Sequence, residues 1–251
     1  MKNSRRASGF TLVELILAMF VGGLLMSAVY FTMISGQKSS AGVERKVAAQ
    51  QDVRAALDIM AMEIGMASYN PNFALPSLIW VNPTTCTGAA ANPQYKGIQA
   101  ATPTAITVEM DIAGGGAGGT QEDGSIGAPN EIISYSYDAT AGNQYITRTT
   151  NCGPADPFLG AAAGAAIGTK TVNVVNTAAN ILNGANVPAV FRYYDSAGLE
   201  LYPDTTPANI SNIRRIDITL AVQTEERDPS TNAFRQMIYS TSVLVRNHAI
   251  Q

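Results

Sequence analysis

Apolar and polar positions fall into three successive patterns along the 251-residue chain. From Phe10 to Ile34 the run FTLVELILAMFVGGLLMSAVYFTMI holds a single charged residue, Glu14. As a helix, this run spans roughly 37 Å and exceeds a hydrocarbon core of about 30 Å. Polar residues then return, but Val53, Leu57, Met60 and Ile64 keep the spacing i, i+4, i+7, i+11 and form one apolar stripe. Arg45, Lys46, Asp52, Arg54, Asp58 and Glu63 surround that stripe. All 12 prolines lie at Pro71 or later, so the pattern predicts a helix from Phe10 to about Ala67. Gly22-Gly23, Gly36 and Gly42 weaken it locally, each by roughly 1 kcal/mol relative to Ala. Gly22-Gly23 is the expected point of flexibility.

The third pattern begins after Asn70, with a stretch to residue 130 rich in Pro, Gly, Ala, Thr and Asn. Strict alternation follows. Ile106, Val108, Met110 and Ile112 alternate with Thr107, Glu109 and Asp111, which predicts a strand. Glu131–Tyr137 and Gln144–Thr149 flank the turn sequence DATAGN and read as a hairpin. Val190–Tyr194 and Leu199–Tyr202, joined by Asp195-Ser196-Ala197-Gly198, read as a second. Ile216, Ile218, Leu220 and Val222 alternate with Arg215, Asp217 and Thr219, and Met237–Val245 supplies a last strand. An antiparallel sheet with one face covered by the helix stripe is the simplest arrangement. The expected fold is α+β: a long helix on a β-rich head, shaped like a lollipop.

Charge changes the picture at the N-terminus. Lys2, Arg5 and Arg6 precede the apolar run with no acid among them, which favours a cytoplasmic N-terminus and an exported remainder. An ordinary secretory signal has a 7–15-residue core and a small-residue cleavage site. This run is longer and lacks a clear site at its end, which leaves a plain anchor as the bland alternative. A plain anchor does not account for Glu14, because a carboxylate within an apolar span costs several kcal/mol without a partner.

Gly9-Phe10-Thr11-Leu12-Val13-Glu14, after a short basic leader and before the apolar run, resembles the class III signal of type IV pilins and type II secretion pseudopilins. The resemblance implies that a prepilin peptidase cuts after Gly9 and N-methylates the new N-terminus, Phe10. It also implies that Glu14 pairs with the Phe10 amine of the same or a neighbouring subunit and sets register during assembly. Implied segments are a leader over 1–9, a transmembrane and filament-core helix over 10–35, an amphipathic helix over 36–68 and a head over 69–251. The stretches VFRYYDSAGLELY, IRRIDITLAVQTEE and YSTSVLVRN resemble larger minor subunits of the PilW-like or J-like pseudopilin type. The implied function is that of a minor subunit of a type IV pilus. Its implied partners are other pilin subunits, the peptidase and inner-membrane lipid, and its implied location is the inner membrane with a periplasmic head, then the filament. A type II secretion pseudopilin and a filament-displayed adhesin are the alternatives.

Cys86 and Cys152 lie in the exported part, where an even pair usually forms a disulfide; two free thiols are the other reading. Without the leader the chain carries 13 Lys and Arg against 19 Asp and Glu, a net of −6, which argues against nucleic acid as a partner. Asp111, Glu122 and Asp123 flank the run Gly114–Gly119, but their spacing matches no EF-hand loop and an exposed loop is preferred. The chain has no phosphate-loop motif, no G-x-S-x-G and a single histidine, His248. No enzyme, cofactor or metal site is therefore expected.

Overall fold

A computed structural model of the chain describes residues 10–113, 123–138, 144–161, 166, 170–176, 189–229 and 231–250. Helix α1 runs unbroken over Leu12–Gly65, about 80 Å at 1.5 Å per residue. Its residues up to 40 are almost all solvent-exposed, whereas Ala49, Val53, Ala56, Leu57, Met60 and Ile64 are buried. The stripe expected from periodicity is therefore the packed face. The helix continues without a break through Gly22 and Gly23, around which no other atoms crowd.

The head has the expected antiparallel architecture, which among the described residues is divided into two five-stranded sheets. The first has the order β1 (Ile98–Ala101), β2 (Ala105–Glu109), β3 (Ile132–Asp138), β4 (Tyr145–Thr150), β5 (Asp156–Leu159). In the second, β10 (Gln236–Leu244) pairs with β9 (Arg215–Thr224) over nine consecutive residues, from Gln236↔Gln223 to Leu244↔Arg215. The other edge of β9 is shared between β7 (Phe191–Tyr194) and β6 (Val172–Val174), and β8 (Glu200–Leu201) extends β7. One core joins α1 to both sheets, with Ile106, Ile133, Tyr135, Phe191, Ile218 and Leu220 at its centre.

Both expected hairpins form, shifted by about a residue, though the DATAGN turn itself falls largely outside the described residues. The strand expected through Ile112 stops at Glu109. Beyond it, Met110 donates to the Glu131 carbonyl and Asp111 N–H donates to the Tyr69 carbonyl, so the chain leaves the β3 ladder. The alternation along the sequence marks none of strands β1, β5 and β6. They are three or four residues long, too short to show a period, and β5 carries Pro157, which an edge strand tolerates.

Glu63 ties the helix to the first sheet. Arg148 of β4 donates from Nε and Nη2 to its carboxylate at 3.1 and 2.6 Å, and the Tyr135 hydroxyl of β3 donates to the same group. Charge-assisted bidentate pairs of this kind are about twice as strong as neutral ones when water is largely excluded. Glu63→Ala strands a half-buried guanidinium and should lower unfolding free energy by about 2–3 kcal/mol. Denaturant titration of the full chain in detergent micelles measures this, and an unchanged midpoint would show that the clamp contributes nothing net.

Candidate assembly and processing site

The N-terminal segment is built from a helix start and a sheath of unpaired apolar side chains. Thr11 is the N-cap, with extended backbone, and its hydroxyl accepts the Glu14 N–H at 3.3 Å. Thr11-Leu12-Val13-Glu14 thus has the T-x-x-E spacing of a capping box, a legible signal that the sequence reading passed over. Glu14 lies in the first turn, where the positive end of the helix dipole favours a carboxylate. It is the third residue of the apolar helix, and Phe10, 84% exposed, stands just outside it. The cleavage residue Gly9 lies outside the described residues.

From Leu12 to Met33 every large apolar side chain is exposed, including Leu15, Ile16, Phe20, Leu24, Val29 and Phe31. The helix is long and apolar enough to cross a membrane, and none of that stretch is buried within the chain. Moving one such side chain from water to an apolar environment is worth roughly 1.5–3 kcal/mol. The segment therefore demands cover from lipid or from other helices.

The head contributes a different kind of chemistry. Cys86 and Cys152 are joined in a disulfide, their Cα atoms 5.9 Å apart. His248, read as an isolated residue at the chain end, is fully buried: Nε2 contacts the Ile210 carbonyl and Nδ1 contacts Ser68 Oγ, both at 2.8 Å. Because a carbonyl only accepts, Nε2 carries the proton and the Ser68 hydroxyl donates to Nδ1. Gly97 N–H in turn donates to Ser68 Oγ. Both side chains are sealed from solvent, so this serine–histidine pair locks the C-terminal segment to the end of α1. Burial holds the imidazole down at about 4.

The acids around the Gly-rich run serve backbone amides. Asp111 accepts Asp123 and Gly124 N–H, and Glu131 accepts four, from Ile112, Ala113, Gly127 and Ala128. Glu122 lies outside the described residues. No grouping of three or more His, Cys, Asp or Glu side chains fit for a metal ion occurs among the described residues. Glu109, fully buried, accepts Val81 N–H through one oxygen, while among the described residues its other oxygen and Nε1 of Trp80, the residue before Val81, find no partner. Desolvation raises its carboxyl to about 8.

Residues 4–30 match the family described as Prokaryotic N-terminal methylation motif. That match covers about a tenth of the chain and defines a type IV pilin-like prepilin motif at the N-terminus. The motif supports a type IV pilin- or pseudopilin-like protein, a structural class processed by prepilin peptidase and assembled with other pilin subunits. No curated protein and no solved structure matches the chain.

Proposed function

We propose that the chain is a minor structural subunit of a type IV pilus that primes or caps the filament. The observation that carries this reading is the wholly exposed apolar half of α1 standing directly behind the prepilin motif. In this reading residues 1–9 are removed, 10–35 serve first as membrane anchor and then as filament core, 36–68 join helix to head, and 69–251 lie in the periplasm before assembly. Cleavage after Gly9 gives Phe10 a methylated cationic amine. Glu14, at the capped helix start, is the natural partner for that amine on an adjoining subunit. Unpaired, the two charges oppose burial; paired, they set axial register.

Mass spectrometry of the mature N-terminus tests the processing step, with N-methyl-Phe10 expected and an intact leader excluding the reading. Glu14→Ala should leave insertion and cleavage unchanged but lower recovery in sheared filaments by roughly a hundredfold, the equivalent of about 3 kcal/mol. Recovery at the wild-type level would remove Glu14 from assembly. Recovery of the wild type only with a type II secretion complex would assign the chain to the pseudopilins instead.

A further inference from the structure

The β10 strand leaves a long, unprotected row of backbone groups on the flank of the head. Its register with β9, together with the bonds Thr224 N–H to Arg235 O and Val245 N–H to Arg214 O, fixes which amides are used. Met237, Tyr239, Thr241 and Val243 face β9. Gln236, Ile238, Ser240, Ser242 and Leu244 turn five N–H and five C=O groups outward, and among the described residues no strand pairs with them. Proteins normally blunt such an edge with Pro, charge, a bulge or brevity. The strand edges β1, β5 and β8 are two to four residues long, and β5 carries Pro157. β10 has none of these devices: nine residues, no charge, no Pro, no bulge. Ile238 and Leu244, 54% and 57% exposed, add two apolar points on its open face.

The edge also has a direction. Arg45 of α1 pairs with Glu226 at 2.6 Å, Gly42 lies against Asp228, and Gly65 lies against Val243. The β9–β10 loop and then β10 therefore run in the same sense as α1, together following roughly the last 35 Å of the helix. When subunits bundle through co-oriented helices, an edge lying along the helix is aligned to meet a segment of an adjoining head that also runs along its helix. Two copies of β10 paired by a two-fold axis would run antiparallel and force their helices to oppose, which excludes that pairing between subunits inserted in one orientation.

We propose that β10 is a β-augmentation site for an extended, uncharged segment of an adjoining, co-oriented pilin-like subunit, a proposal that rests on the assembly reading above. The partner strand takes up the five outward amides and carbonyls and sets apolar side chains on Ile238 and Leu244.

The full chain is expressed in cells as Ser240→Pro and Ser240→Lys, and separately with a photoreactive residue at position 240. Proline removes an outward N–H that β9 does not use, and its ring obstructs an incoming strand; Ser240→Lys keeps the backbone and adds an edge charge. Both variants should retain the Cys86–Cys152 disulfide and normal leader cleavage, yet fall roughly tenfold or more in filament recovery. Position 240 should cross-link to a different pilin subunit. Wild-type recovery of both variants overturns the proposal, as does a cross-link only to a second copy of this chain. Absence of the wild type itself from filaments overturns the assembly reading and the edge proposal with it.

Discussion

Glu109→Gln should exceed the wild type in stability by roughly 4 kcal/mol more at about pH 9 than at about pH 5. The cause is a fully buried carboxyl group with only the Val81 N–H as donor among the described residues, which burial holds in its acid form up to about 8. The folded state binds a proton that the unfolded chain releases near 4.5. The contribution of Glu109 is thus full below 4.5 and is lost as pH rises through 8. His248 acts in the opposite sense. Burial, helped by Lys96 and Arg214, keeps it neutral down to about 4 against 6.5 when unfolded. Its contribution is full above 6.5 and is lost as pH falls through 4, roughly 3 kcal/mol in all.

Between about 4.5 and 6.5 the two slopes cancel, so the wild type should show a plateau with a decline on either side. Glu109→Gln keeps an uncharged group of the same shape and removes the alkaline decline. His248→Gln is weaker throughout but loses the acid-side dependence of that residue. Denaturant titrations across pH in detergent micelles measure both. Parallel profiles for the wild type and Glu109→Gln would mean that the buried carboxyl reaches water.

The stripe Val53, Leu57, Met60, Ile64 was legible because a helix repeats its contacts within a few residues, and a half-buried strand such as β9 repeats every second residue. The prepilin motif was legible for a similar reason: Gly9 through Glu14 are contiguous. What the sequence did not disclose lies in partners far apart. Glu63 meets Arg148 across 85 residues and Ser68 meets His248 across 180, and no local pattern marks either pair. The division into two sheets depends on β9 taking β10 on one side and both β6 and β7 on the other, a choice made by tertiary packing. The free edge of β10 follows from the same choice. Periodicity identified the strand but carried no information about which neighbour it lacks.

The remaining large effect belongs to the Cys86–Cys152 bridge. It closes a loop with a sequence separation of 66 and ties the segment bearing α2 (Pro76–Ile79) and Trp80 to the turn after β4. In the chain-entropy account such a loop stabilises by about 4 kcal/mol, and Cys86→Ser/Cys152→Ser should lose that amount. The backbone sharpens the test, because both half-cystines sit at φ 53, in the left-handed region. A serine at each position keeps that conformational cost of about 1 kcal/mol, whereas a glycine relieves it. Cys86→Gly/Cys152→Gly should therefore be less stable than the wild type but more stable than the double serine variant, by about 1–2 kcal/mol. Thermal or denaturant unfolding of the oxidised, reduced and substituted chains separates the two effects. If the glycine pair falls below the serine pair, relief of backbone strain is outweighed by the extra freedom glycine gives the unfolded chain. If reduction leaves the midpoint unchanged, the non-covalent contacts of Trp80, Ile79 and Ile126 already hold this segment in place.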